Sequence, residues 1–201
     1  MTKRTAAKAE TRQRIVEATA KLHGERGVFG TTWKDIAEEA DVSVATVYSH
    51  FSSLEELLPA CGELVMQRVR PPSPASAAAI IGDAKGPRQR LERVARELFA
   101  FYERGGPHIE VDVRERELPG MREWEESQRA TVASLVRAAL DGERRDTRTV
   151  QLISALVDLG TYRALRTRGV GQKRAAQTVA EMAVCLLQRG GRPKPQGGTH
   201  G

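Results

Sequence analysis

Residues 31–51, with the sequence TTWKDIAEEADVSVATVYSHF, decide the fold of the N-terminal part of this 201-residue chain. Thr32 is a suitable helix N-cap, and Asp35, three residues later, completes a close variant of the capping box. Ser43 is a second suitable N-cap, and Asp41 stands in the turn before it, where Asp tolerates a left-handed conformation. The stretch therefore predicts two short helices joined by a three-residue turn, which is a helix-turn-helix.

The second of these helices has an outer face that suits the major groove of DNA. Such a face must be slim and must carry groups that reach base edges or methyl groups. Ala45 is small enough to touch a thymine methyl, and Thr46 and Ser49 offer short hydroxyls. Tyr48 and His50 are long enough to bond phosphates. An ordinary helical hairpin with a polar face is the alternative that the pattern alone leaves open.

The same stretch resembles the N-terminal domain of the TetR family of bacterial transcriptional regulators. The residues that match the family's pattern are Thr32, Ile36, Ala37, Ala40, Val42, Ser43, Tyr48, His50 and Phe51, followed by Glu55, Glu56, Leu57 and Leu58. The Tyr-x-His-Phe ending is specific, because helix-turn-helix units in general do not require it. The resemblance covers roughly the first 60 residues. Beyond them the chain is similar to the family only in plan, with a divergent helical bundle for ligand binding and dimerisation.

The resemblance also implies which residues contact DNA. Base or groove contacts are implied for Val44, Ala45, Thr46 and Ser49, and phosphate contacts for Thr32, Trp33, Tyr48 and His50. Two positions depart from the family, since Asp41 replaces its usual turn glycine and Leu54 stands where many members carry a phosphate-contacting lysine. Both departures make the region less positive. The first fourteen residues would compensate, because their charged side chains are Lys3, Arg4, Lys8, Arg12 and Arg14 against the single acid Glu10. This basic segment is either a solvated, partly disordered arm or a contact to phosphates or the minor groove.

Composition favours an all-α protein of about nine helices, in which a three-helix N-terminal domain precedes a larger helical bundle. Aromatic residues make up only 4% of the chain, so packing must rest on Ala, Leu and Val. The net charge of +6 suits a polyanionic partner. The predicted segments are a DNA-binding domain with a basic N-terminal arm (1–53), a connecting helix (54–70), a linker (71–87), an effector-binding and dimerisation domain (88–189) and a disordered tail (190–201).

The last two helices, predicted at 147–168 and 172–188, carry apolar stripes wider than one bundle face requires. By resemblance, such helices pair with those of a second copy, and a two-fold homodimer would bind a palindromic operator in double-stranded DNA. Packing within one chain is the alternative. Pro59 lies inside the connecting helix, where it removes a hydrogen bond and kinks the axis. We hypothesise that this kink sets the spacing of the two recognition helices, although a static bend without a switching role explains the proline equally well.

The effector pocket is weakly marked in the sequence. Aromatic or soft residues on the bundle helices are its candidates: Phe99, Tyr102, Met121, Trp124 and Tyr162. Each of them would also serve as ordinary core. An acidic cluster at Glu110, Asp112, Glu115 and Glu117 favours either a cationic ligand or, as the plainer interpretation, a solvated face paired with Arg114 and Arg116. His108 beside these carboxylates is weak evidence for a metal, and no metal site is predicted.

Other classes of protein are disfavoured. The sequence has no P-loop, dinucleotide turn, GxSxG or HExxH motif, so neither catalytic residues nor a cofactor is expected. No apolar stretch is long enough for a membrane span, and the first residues do not read as a secretory signal. Cys61 and Cys185 are predicted to be free thiols in a reducing cytoplasm. The sequence thus predicts a cytoplasmic repressor that a small molecule releases from DNA. A helical small-molecule-binding protein and an architectural DNA-binding protein without operator specificity are the alternatives.

Overall fold

A computed structural model describes residues 3–141, 143 and 146–190. Within these ranges the chain is helical and contains no strand, which confirms the all-α class. The α-helices are α1 (Lys3–Arg26), α2 (Trp33–Glu39), α3 (Val44–His50), α4 (Leu54–Val69), α5 (Ala77–Ile81), α6 (Gly86–Gly105), α7 (Pro119–Ala139), α8 (Thr147–Leu156), α9 (Leu159–Arg166) and α10 (Gln172–Gly190). Short 3₁₀ turns cover Pro74–Ser76, Gly106–Ile109 and Glu115–Glu117. None of the described helices combines the length and the apolar character that crossing a membrane requires.

The chain divides into two compact units that do not follow its linear order. The first unit joins the described residues up to 71 with residues 101–127, and the second joins residues 72–100 with the described residues from 128 onward. The predicted effector-binding domain, 88–189, therefore contributes to both units.

The N-terminal basic segment differs from the partly disordered arm considered above, because it is the start of α1. This helix runs from Lys3 to Arg26 and its first turns are exposed. Alanines alternate there with Lys, Arg, Glu and Gln, all strong helix formers, and neither Gly nor Pro interrupts them before Gly24. The basic side chains are therefore held on a rigid element.

The helix predicted at 147–168 is broken in two. α8 ends at Leu156, and Asp158 begins α9 as its N-cap, where its carboxylate accepts a hydrogen bond from the Gly160 amide at 2.7 Å. Asp favours such a cap over a helix interior because its side chain competes for backbone donors. The predicted linker, 71–87, contains a short helix, α5. The predicted tail begins at Gly190, which is the last residue of α10, and its residues 191–201 lie outside the described residues.

Each unit has its own apolar core. In the first unit, α1, α2, α3 and α4 bury Ile15, Val16, Ala18, Leu22, Ile36, Ala37, Ala40, Val47, Phe51 and Leu57. Three of these are alanines, whose small side chains let the helices approach one another closely. This core fixes α3 against α1 and α2, so the outward face of α3 has a defined orientation.

Candidate nucleic-acid interface

The N-terminus of α2 is closed by the predicted capping box. The Thr32 hydroxyl accepts a hydrogen bond from the Asp35 amide at 3.1 Å, and the Thr32 amide donates to Asp35 Oδ2 at 2.8 Å. The Thr32 hydroxyl also donates to Oδ2 at 2.6 Å. These hydrogen bonds lower the pKa of Asp35, and the Arg26 guanidinium 3.5 Å away acts in the same direction. The carboxylate therefore stays ionised at the positive end of α2.

The turn between α2 and α3 has the conformation that the sequence predicts. Asp41 adopts φ +53°, in the left-handed region, and the Val42 amide donates to the Ala37 carbonyl at 3.0 Å. Arg14 adds a contact that sequence reasoning missed, because its Nη1 donates to the Ala40 carbonyl at 3.1 Å. A cation at a helix C-terminus is favourable, so α1 holds the end of α2 and the turn that follows it.

The recognition helix α3 buries one side and exposes the other. Val47 and Phe51 are fully buried, whereas Val44 is 37% exposed and Tyr48 is 48% exposed. Ala45 and Ser49 are also exposed, and Thr46 is half-buried. The surface of α3 therefore contains the residues for which groove contacts were expected, including Val44.

The hydroxyls of α3 are partly engaged within the helix. Ser43 caps it, accepting from the Thr46 amide at 3.1 Å, and its hydroxyl lies 2.8 Å from that of Thr46. The Ser49 hydroxyl donates to the Thr46 carbonyl at 2.7 Å. A hydroxyl that donates locally still has acceptor lone pairs. Ser49 is therefore better placed to accept from the amino group of adenine or cytosine than to donate to a base.

Two of the residues with expected phosphate contacts form one aromatic platform. The rings of Trp33 and Tyr48 stack with centroids 4.9 Å apart and planes inclined by 27°. Trp33 opens α2 and Tyr48 belongs to α3, so the stack ties the two helices together at their outer surface. It restrains the Tyr48 ring while half of that residue remains accessible.

A basic edge, formed by Lys8, Arg12 and His50, lies where α1 passes the end of α3. The Arg12 guanidinium carbon is 4.7 Å from the centroid of the Phe51 ring, a cation–π arrangement. Burial lowers the pKa of His50, and the charges of Lys8 and Arg12 lower it further. His50 is thus a neutral hydrogen-bonding group near pH 7, and the positive charge of this edge comes from α1. The spacing of Lys8 and Arg12, four residues apart on a helix, was the signal for this arrangement in the sequence.

The predicted effector residues are divided between the units. In the second unit the rings of Phe99 and Tyr162 stack with centroids 4.4 Å apart, and both residues are buried. In the first unit Tyr102 is buried, while Met121 and Trp124 are half-buried on α7. The Trp124 indole nitrogen is buried and has no acceptor among the described residues. The structure therefore brings Phe99 and Tyr162 together, and a pocket shared by all five residues stays a prediction.

The acidic cluster is not uniformly a solvated face. Glu115 is only 6% exposed, and its Oε1 accepts from the Val28 amide at 2.7 Å. Its expected arginine partners are engaged elsewhere, since Arg116 contacts Glu125 at 3.1 Å and Arg114 lies over the Phe29 ring. The interpretation of Glu115 as solvated and paired with these arginines is wrong, because its hydrogen-bond partners are backbone amides. Among the described residues no group of three or more His, Cys, Asp or Glu side chains is arranged to hold a metal ion.

Comparison with known proteins agrees with this geometry. The family model described as "Bacterial regulatory proteins, tetR family" matches residues 15–61. Over these residues the chain is similar to the TetR family. The HTH-type transcriptional regulator TtgR of Pseudomonas putida is 44% identical over 61 residues, a match that covers 30% of this chain and 29% of TtgR. Those 61 residues leave most of both proteins unmatched.

Solved structures extend the likeness of fold beyond the TetR-like segment. A TetR-family transcriptional regulator from Mesorhizobium loti superposes with a TM-score of 0.63 at 19% identity, covering 89% of this chain and 97% of that one. The multidrug binding protein EbrR in complex with imidazole superposes with a TM-score of 0.60 at 22% identity, covering 92% and 97%. At such identities the likeness concerns the fold, which spans nearly the whole chain.

Proposed function

We propose that this chain is a ligand-responsive, sequence-specific transcriptional regulator that binds an operator through α3. The observation that carries the proposal is the outer face of α3, which presents small and hydroxyl-bearing residues between the Trp33–Tyr48 platform and the basic edge. A slim helix bounded on both sides by groups suited to phosphates is the arrangement that a major-groove reader needs.

The contacts divide into two kinds. Val44, Ala45, Thr46 and Ser49 are assigned to the floor of the major groove, where apolar contacts to thymine methyls and hydroxyl contacts to base edges discriminate sequence. Thr32, Trp33, Tyr48 and His50 are assigned to phosphates. Phosphate contacts fix the register of α3 on the duplex, and the base contacts then supply specificity.

The regulator acts as a homodimer through its C-terminal helices, in the cytoplasm. Support comes from α8 and α10, which pack together in the second unit while Leu152 remains 47% exposed and Met182 remains 49% exposed. Two large apolar side chains left in water on adjacent helices favour burial against a second copy. A two-fold dimer places two copies of α3 on a palindromic operator. Replacing Leu152 and Met182 with Glu is expected to give a monomer in sedimentation equilibrium.

The effector is a small apolar or amphipathic molecule, and the apoprotein is the form that represses transcription. Aromatic residues on the bundle helices support such a ligand, above all the buried pair Phe99 and Tyr162. The similarity of fold to EbrR, which was solved with imidazole, points the same way. Effector binding would move α4, whose interior Pro59 breaks its hydrogen-bond ladder, and so lower operator affinity. A Pro59→Ala variant with unchanged operator affinity and unchanged effector response would remove Pro59 from this switch.

The deciding experiment is selection of purified protein against random duplex DNA at near-physiological salt. Enrichment of one palindrome is expected for the wild-type chain, and its loss for a Thr46→Ala, Tyr48→Ala double variant. Thr167→Ala, an exposed threonine in the second unit, is the matched control and should enrich the same palindrome. Binding without enrichment would indicate an architectural DNA-binding protein. Absence of DNA binding would leave a helical small-molecule-binding protein.

A further inference from the structure

Glu115 is the only buried carboxylate in the described part of the chain, and its surroundings hold it firmly. It opens the 3₁₀ turn Glu115–Glu117, between α6 and α7. The Asp112 amide donates to Glu115 Oε2 at 3.1 Å, and the Glu115 amide donates to Asp112 Oδ1 at 2.7 Å. Reciprocal bonds of this kind fix the side chain within its own turn.

The other carboxylate oxygen reaches a part of the chain 87 residues earlier. The Val28 amide donates to Glu115 Oε1 at 2.7 Å, a distance typical of a strong bond to a charged acceptor. Gly27 has φ +73°, and a Cβ atom there would lie 3.2 Å from the same oxygen. Beside this bond, the Arg114 guanidinium carbon lies 4.6 Å from the centroid of the Phe29 ring. Glu115 and the residue before it, Arg114, thus both contact the loop that follows α1.

That loop leads directly into the N-terminus of α2. The Thr31 amide donates to the Val28 carbonyl at 3.3 Å, and the Thr31 hydroxyl donates to the Gly27 carbonyl at 2.9 Å. The next residue, Thr32, is the N-cap of α2. Hydrogen bonds therefore run from Glu115 through the loop to Thr31, the residue that directly precedes the N-cap of α2.

We propose that Glu115 is a positioning residue for DNA binding, acting through the loop of residues 27–31 on the entry of α2. This inference rests on the proposed function. It gives the segment between α6 and α7, which lies outside the TetR-like part of the sequence, direct influence over operator affinity. Holding the loop in one conformation before binding removes an ordering cost that the complex would otherwise bear.

The test begins with Glu115→Gln, which keeps the shape of the side chain. An amide offers one acceptor oxygen where the carboxylate offers two, so one backbone N–H is left facing an NH₂ group. Glu117→Gln is the matched control, because Glu117 is exposed in the same turn and the change in net charge is identical. With the operator selected above, we expect Glu115→Gln to bind about tenfold more weakly, which corresponds to about 1.4 kcal/mol. Glu117→Gln should stay within about twofold of wild type, since isolated surface changes have small effects.

Further measurements separate positioning from a general loss of stability. Amide hydrogen exchange at Thr31 and Thr32 should become faster in Glu115→Gln, whereas exchange in the second unit should stay unchanged. Thr31→Val removes the hydrogen bond from the Thr31 hydroxyl to the Gly27 carbonyl in the same loop. The losses of operator affinity in the Glu115→Gln, Thr31→Val double variant should therefore be less than additive.

The inference would be overturned if Glu115→Gln bound the operator as tightly as Glu117→Gln does, or if the losses of affinity in the double variant were strictly additive. If the wild-type chain selects no sequence, the proposed function fails instead. Exchange at Thr31 and Thr32 then still decides whether Glu115 holds the loop.

Discussion

Acidification should destabilise this protein through His23, a residue of α1 that is enclosed in the first unit. Burial lowers the pKa of His23 from 6.5 to about 4, with a smaller contribution from the nearby His108. Its Nδ1 lies 3.9 Å from the Cys61 sulfur, and burial raises the pKa of that thiol to about 11, so Cys61 stays neutral. The positive charge of Arg68 acts to lower the pKa of both His108 and Cys61. The surroundings of His23 therefore disfavour its protonation.

The sign and the size of the effect follow from linkage. Between pH 6.5 and pH 4 the unfolded chain binds a proton at His23 that the folded chain does not, so stability falls as the pH is lowered. The stability that depends on a neutral His23 ring is fully present above pH 6.5 and is lost progressively as the pH falls toward 4. For these two pKa values, lowering the pH from 7 to 5 removes about 2 kcal/mol from the free energy of unfolding. The pKa of His108 is lowered as well, also by burial, so it acts in the same direction.

Two measurements test this prediction. The chain has 4 histidines, so NMR titration of their ring protons, assigned with His→Gln variants, should find one that titrates near pH 4. Urea unfolding at pH 7 and pH 5 should show that His23→Gln loses about 2 kcal/mol less than wild type on acidification. His50→Gln is the control and should retain most of the wild-type dependence, because His50 is much less buried than His23. A His23 ring that titrates near its ordinary value, or equal losses in wild type and His23→Gln, would refute the reasoning.

Three further predictions concern the first unit. Thr32→Val removes the hydroxyl that caps α2, 3.1 Å from the Asp35 amide, and should lower the free energy of unfolding by about 1 kcal/mol in urea titrations. Phe51→Ala opens a cavity at a residue that is 2% exposed and should cost about 3–5 kcal/mol, so a stable, fully folded variant would contradict the described core. Lys8→Gln should reduce the slope of log affinity against log salt by about 0.9, whereas Lys173→Gln, an equal loss of charge in the second unit, should leave the slope unchanged.

The sequence predicted the helix-turn-helix well because its signals are local. Thr32 and Ser43 each bond an amide three residues away, and Asp41 needs only its own φ angle to form the turn. Such features depend on neighbouring residues and little on the rest of the chain. The break between α8 and α9 is also local, but the apolar residues that flank Asp158 continue the helical period and obscured its role as a cap.

Features that depend on residues far apart in the chain could not be predicted from the sequence. Nothing in the spacing of Glu115 indicates that its partner is the Val28 amide, 87 residues earlier. The contact of Arg14 with the Ala40 carbonyl is of the same kind, since the acceptor is a backbone atom that every residue possesses. Charge counting placed both residues on the surface, and only the fold reveals which backbone groups they meet.

The first unit is built from two separate segments of the chain, and this arrangement bears on how a ligand would act on α2 and α3. Residues 101–127 cluster with α1 to α4, and three of the expected effector residues, Tyr102, Met121 and Trp124, lie in that segment. A ligand that contacts them touches the unit that contains α3 itself. Because Glu115 belongs to the same segment and bonds the loop before α2, a shift in this segment has a short, hydrogen-bonded route to the helix-turn-helix. The family model matches residues 15–61 and does not extend to this segment.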